Sequence, residues 1–224
     1  MQVTAELRWF WNSPQDELKE WFCDENVHDF PAGGGSKRVD LYFRDATQIE
    51  LGLKHRGGRP GVEIKGLVSV TAGGCTEIPF DGDIETWSKW TAHGLFLDRS
   101  KVVATEKQRW MRRFDTSGED TLELLLDKKE RSANVPDRGC NLEFTAIRFV
   151  DAETHVPIED QPEWFTLSFE AFGILESLPE NLCRTAAEIV RRNPPPVSNS
   201  IRASYPKWLS QFAPESLLLH SASI

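Results

Sequence analysis

The chain has no apolar run of 18 residues, so no segment reads as a bilayer-spanning helix. Its first stretch, MQVTAELRWFW, lacks a basic region followed by an apolar core and is expected not to be a secretory signal. Cysteine is sparse: Cys23, Cys75, Cys140 and Cys183 are scattered and form no CxxC pair. That spacing argues against a zinc site and a disulfide framework, and the simplest reading is a reduced, cytoplasmic protein. The five histidines supply no HExxH, and no spacing of Ser, His and Asp nominates a nucleophilic triad. Internal repeats and a βαβ rhythm are missing as well. The glycine-rich Ala32-Gly33-Gly34-Gly35-Ser36-Lys37 lacks Walker spacing and reads as a flexible loop. An excess of positive charge is also absent. The formal net charge is -9, which argues against a general nucleic-acid coat or an anionic membrane as partner. A local basic pocket stays possible, because clustering matters more than the sum.

What is present fits one large β domain of 224 residues, long enough to bury a sizeable core. Alternation and turn-rich borders predict strands at Val3–Trp11, Arg38–Arg44, Ile49–Arg56 and Val62–Val70. A second set follows at Lys101–Phe114, Thr121–Asp127, Asn141–Phe149 and Trp164–Gly173. The connections are short, which favours an antiparallel sheet closing toward a barrel. Helices are expected at Pro14–Phe22, with Ser13 as N-cap, at Asp83–Ala92 and at Pro179–Arg192. The run Asn193-Pro194-Pro195-Pro196 reads as a linker, and Tyr205–Phe212 as a short docking helix beyond it.

The strands have two characters. Strand one places Val3, Ala5, Leu7, Trp9 and Trp11 on one side and Thr4, Glu6 and Arg8 on the other. Val39, Leu41 and Phe43 oppose Arg38, Asp40, Tyr42 and Arg44. Ile49, Leu51 and Leu53 oppose Glu50, Gly52, Lys54 and Arg56, and Val62 and Ile64 oppose Glu63 and Lys65. Lys107, Arg109 and Arg113 share a face of strand five, while Glu143 and Glu170 sit among apolar neighbours. Charged faces usually point to water and apolar faces to the core. The opposite arrangement is a hydrated tunnel whose apolar outer wall is covered by the helices. Alternation alone does not choose between the two.

The ordered set of charged residues resembles the CYTH family, the triphosphate tunnel metalloenzymes, over about residues 1–175. The family pattern has a strand with Arg-x-Arg, a short turn, and a strand ending in Lys-Gly. Here these read Leu53-Lys54-His55-Arg56, Gly57-Gly58 and Val62-Glu63-Ile64-Lys65-Gly66. The family's later Lys-x-Arg strand is similar to Lys107-Gln108-Arg109, and the strand after it to one ending Leu126-Asp127. The glutamates of the last strands are similar to Asn141-Leu142-Glu143 and Ser168-Phe169-Glu170. The first strand departs from the family's Glu-x-Glu-x-Lys, reading Thr4-Ala5-Glu6-Leu7-Arg8, with one carboxylate fewer and Arg for Lys.

The resemblance implies an α+β, mainly β fold: an eight-stranded antiparallel closed barrel or tunnel with flanking helices. It implies a tunnel domain over 1–192 with a closing helix, then a Pro-rich linker and C-terminal tail over 193–224. The expected ligand is a triphosphate-containing small molecule held by Arg8, Arg44, Lys54, Arg56, Lys65, Lys107, Arg109 and Arg113. Arg suits phosphate oxygens in pairs and Lys suits them as a point charge. Glu6, Glu143 and Glu170 are the expected ligands of Mg²⁺ or Mn²⁺, and Glu6 and Lys65 the expected catalytic pair. Three functions are therefore weighed: a metal-dependent triphosphate hydrolase, a non-catalytic binder of phosphorylated ligands, and a lipocalin-like barrel with an apolar interior.

Overall fold

The computed structural model describes residues 1–45, 47–75, 82–98, 101–126 and 135–214. Its elements run β1 (Gln2–Trp11), α1 (Asp16–Cys23), β2 (Gly33–Phe43), β3 (Leu51–Arg56), β4 (Val62–Thr71), β5 (Ile84–Ala92) and β6 (Val102–Asp115). Then follow β7 (Leu122–Leu124), β8 (Gly139–Val150), β9 (Trp164–Phe172), α2 (Leu178–Arg192), β10 (Ile201–Arg202) and α3 (Tyr205–Phe212). Eight strands close into an antiparallel barrel in the order β1-β5-β4-β3-β2-β6-β8-β9, and β9 pairs back onto β1. The short β7 only extends β6, and β10 adds two residues beside Trp9 and Phe10 of β1.

The apolar core lies mainly outside the barrel wall. Ala5, Leu7, Trp9 and Trp11 of β1 join Leu142 and Phe144 of β8 and Leu167, Phe169 and Ala171 of β9. Onto them pack Leu18, Trp21 and Phe22 of α1 and Leu178, Leu182, Ala186 and Ile189 of α2. The i, i+4, i+8, i+11 spacing of the α2 set forms one helical stripe facing the sheet. Each leucine or isoleucine of that stripe contributes about 1.5–3 kcal/mol on burial, and Ala186 less. Under α1, the fully buried Arg112 donates to the Phe22 and Phe30 carbonyls and pairs with Glu123 at 2.7 Å, so its charge is met inside the core.

A second cluster fills the barrel at one end. Phe10, Tyr42, Val103, Ile147, Phe149 and Trp164 come from five strands and surround Trp208 and Leu209 of α3. Trp208 stacks on Phe10 at 4.9 Å and on Phe149 at 5.3 Å. Residues 193–214 thus return to the barrel through β10 and α3.

Several expectations are corrected. Asp83–Ala92 does not form a helix; β5 occupies it. Its β-branched and aromatic residues suit a strand, and Trp87 and Lys89 point inward while Ile84 joins the outer core. The barrel's eighth strand is β5, because the predicted 121–127 strand shrinks to β7 and leaves the ring; Asp127 lies outside the described residues. The glycine-rich segment is the start of β2, where a Cβ on Gly34 would strike the Arg109 carbonyl of β6. Helix α1 begins at Asp16 after an uncapped Gln15, rather than at Pro14 after Ser13. Cys75 and Cys183, 108 residues apart, form a disulfide that ties the segment after β4 to α2, which scattered spacing concealed. Among the described residues no helix is long and apolar enough to cross a membrane.

His28 is 3% exposed and its ring packs edge-on against Trp21 at 5.1 Å. Burial, with Arg112 and Arg192 nearby, pushes its pKa down from 6.5 to about 4. Between those values the unfolded chain binds a proton that the folded one does not. Stability from this residue is therefore present above pH 6.5 and lost as pH falls toward 4, by at most about 3 kcal/mol. His28→Phe is expected to flatten the fall in thermal midpoint between pH 6.5 and 4, measured by calorimetry against the parent protein.

Candidate functional site

Inside the barrel, alternation carries the charged faces of neighbouring strands into one cavity of about 380 Å³. Arg8 comes from β1, Arg38 from β2, Lys54 and Arg56 from β3, Lys65 from β4, Lys89 from β5, and Lys107 and Arg109 from β6. Arg59 joins them from the β3–β4 turn. Glu6, Glu63, Glu143 and Glu170 line the same space. The apolar-interior barrel is set aside by this geometry, since the polar faces point in along most of the barrel.

The carboxylates are held by the cations. Lys89 lies between Glu6 and Glu170, at 2.8 and 3.0 Å, and Lys65 donates to Glu6 at 2.6 Å. Glu63 takes Lys54 at 2.9 Å with Arg56 at 3.7 Å, and Glu143 takes Arg109 at 2.9 Å. Burial alone would raise the Glu6 carboxyl, but Lys65, Lys89 and Arg8 hold it well below its ordinary range. The two lysines on Glu6 diverge. Lys89 has two carboxylates, which outweigh its burial and raise its pKa. Lys65 has one; burial pushes it down to about 8, with Lys89 and Arg8 adding to the effect.

Deeper in, Lys107 is 5% exposed and caged by aromatic rings. Its Nζ donates to the Tyr42 hydroxyl at 2.5 Å and sits 3.7 Å from the Tyr205 ring centroid, while Asp40 lies 4.0 Å away. Burial pushes its pKa well below that of a free lysine, and the Asp40 carboxylate only partly offsets this. Arg8, 7% exposed, has its Cζ 4.9 Å from the centroid of the same Tyr205 ring; its terminal nitrogen donates to Thr166 at 3.3 Å, and among the described residues its Nε has no hydrogen-bond partner.

No family model matches the chain, and no curated protein matches it. The CYTH resemblance therefore rests on the ordered residues alone.

Of the residues expected to bind substrate, Arg8, Lys54, Arg56, Lys65, Lys107 and Arg109 line the cavity. Arg44 and Arg113 are not among the lining residues: Arg44 donates to the Leu209 carbonyl of α3, and Arg113 to Asn141 at the end of β8. Glu6, Glu143 and Glu170 line it too, but each is engaged by Lys or Arg, and Thr4 spends its hydroxyl on Glu6 at 3.0 Å. Among the described residues no three His, Cys, Asp or Glu side chains stand together as a metal-binding group. Sequence reasoning left Arg38, Arg59, Lys89 and Tyr205 out of the site. Lys89 was hidden by reading β5 as a helix, although the inward alternation Glu85, Trp87, Lys89, Thr91 carried the signal.

The Lys89 bridge is a test of this electrostatic arrangement. Lys89→Met leaves Glu6 and Glu170 facing one another and is expected to cost about 2–3 kcal/mol, discounted from the 3–5 of a fully buried pair because Lys89 is a quarter exposed. Adding Glu170→Gln should recover part of that loss. Urea unfolding of both single variants and the double variant measures the coupling, and strict additivity would show that the bridge carries none.

Proposed function

We propose that the cavity binds the phosphate chain of a small triphosphate-type anion, inorganic or organic. One observation carries the reading. A chain of net charge -9 gathers nine Arg and Lys side chains around a single cavity against four Glu, with Asp40 buried behind them. The surplus of four cations matches the roughly four negative charges of a triphosphate near neutral pH. The cations arrive from different strands of a closed barrel, so their positions are set before a ligand enters, and little ordering cost falls on binding.

Turnover assisted by Mg²⁺ or Mn²⁺ is the second reading. It is favoured by the three glutamates of different strands that line the same space, and it requires an ion to draw Glu6, Glu143 or Glu170 away from a lysine or arginine. Phosphate release from tripolyphosphate and nucleoside triphosphates, with each metal and without, separates the two readings. A protein that binds but releases nothing under any of these conditions is a binder. A small phosphorylated ligand suits a cytoplasmic setting, whereas the Cys75–Cys183 bond suits an oxidising one; thiol counting on protein taken directly from cells decides between them.

Tripolyphosphate at a hundredfold excess over Kd should stabilise the fold by about 2.7 kcal/mol and raise the thermal midpoint by about 5 °C or more. No shift at millimolar ligand and low salt would overturn the proposal.

Binding should also take up protons near pH 8. Lys65, at about 8, is half neutral there, and an anion beside it favours the charged form. Affinity is expected to weaken as pH rises above 8. Calorimetry in two buffers of different ionisation enthalpy measures the uptake, and equal heats in both would contradict it.

A further inference from the structure

Among the described residues the cavity is a well closed at one end. Gln2, Arg59 and Thr91 lie at its open end, at the start of β1, in the β3–β4 turn and at the end of β5. At the opposite end the barrel is filled by Trp208, stacked between Phe10 and Phe149 and met edge-on by Trp164 at 5.4 Å. Pro206 of the same helix lies against Gly52 of β3, where an added Cβ would come within 3.1 Å of its ring. A phosphate chain entering from the other end therefore meets α3 with its leading end.

The floor of this well is built differently from its walls. Wall cations are matched by carboxylates: Lys54 by Glu63, Arg109 by Glu143, Lys89 by Glu6 and Glu170. At the floor, Arg8 is more than nine-tenths buried with its Nε unpartnered among the described residues, and Lys107 reaches a phenol at 2.5 Å with Asp40 farther off at 4.0 Å. Arg8 and Lys107 approach the same Tyr205 ring, at 4.9 and 3.7 Å, so both lie beside α3 at this end of the cavity. A terminal phosphoryl group has three free oxygens and nearly two charges, whereas an interior one has two free oxygens and one charge. Two basic side chains at the same buried end suit the terminal group.

We propose that the well reads the free end of a phosphate chain, with the terminal phosphoryl group seated on Arg8 and Lys107 against α3, so that a chain capped at both ends is excluded whatever its charge. The inference rests on the polyphosphate reading above and goes beyond it in naming which phosphate esters are accepted. Ligands with one free end, such as nucleoside polyphosphates, enter with the organic group left at the mouth. Ligands with an organic group at each end do not seat.

Adenosine tetraphosphate and diadenosine tetraphosphate test this, because they carry the same number of phosphates in the same linkages and differ in the free end. Their affinities are to be measured by calorimetry on the full chain, beside tripolyphosphate as reference. The capped compound is expected to bind about tenfold to a hundredfold more weakly, the loss of one or two charge-assisted contacts. In Lys107→Gln the ratio between the two should shrink toward one. In Arg59→Gln, at the mouth, both affinities should fall while the ratio holds. Equal binding of the two tetraphosphates overturns the inference and leaves the polyphosphate reading standing if tripolyphosphate binds. Failure of all three ligands overturns both. A ratio that survives in a folded Lys107→Gln protein overturns the placing of the terminal group at Lys107.

Discussion

Nine cationic side chains sharing one cavity repel each other, and that repulsion must be offset before the barrel can close. At 4 Å, two like charges cost about 4 kcal/mol at the effective dielectric of a protein near its surface. The structure meets this in two ways. Carboxylates from other strands are interleaved among the cations, so that Glu6, Glu63, Glu143 and Glu170 each hold at least one. Where carboxylates are fewer, burial outweighs them: Lys107, with Asp40 at 4.0 Å, is pushed well below the range of a free lysine, and Lys65, with one carboxylate, falls to about 8. The cavity keeps more cationic than carboxylate side chains, and that surplus attracts an anion.

The same arrangement turns the sheet inside out. With charge pointing inward, the apolar faces of the strands point outward and require cover. Helices α1 and α2 supply it over β1, β6, β8 and β9, and the Cys75–Cys183 bond anchors α2 to the far side of the barrel beside β4. Among the described residues no helix lies over the outer face of β3, β4 and β5, and Leu51 and Val68 there are 37% and 56% exposed. The core is therefore lopsided, a helix-backed half and a bare half around one polar well.

Much of this was legible in the alternation. Arg38, Lys54, Arg56, Lys65 and Arg109 could be assigned to one face because strand period fixes side, and barrel closure brings those faces together. The side itself was not legible, since a polar face looks the same whether it meets bulk water or a tunnel. The β5 segment was misread because Ile84, Trp87 and Trp90 also match a helical spacing, and the misreading removed Lys89, the residue that bridges two carboxylates. Pairings between distant parts of the chain were beyond any local pattern. Cys75 meeting Cys183 and Tyr205 meeting Lys107 depend on where the returning helices dock.

That last contact changes the character of the site. Without α3 the inward ring of Phe10, Val103, Ile147, Phe149 and Trp164 would leave the barrel open at both ends, and water would reach Lys107 from either side. With Trp208 and Leu209 in place, Lys107 and Arg8 sit at a buried floor, where a charge is solvated poorly and an anion interacts with them more strongly than it would at the mouth. The cost of desolvating those two cations is already carried by the folded chain through its aromatic stacking, so it does not fall on the ligand. A helix that lies beyond a proline-rich stretch of sequence thus gives the polar interior its depth, its closed end and its gradient of electrostatic strength from mouth to floor.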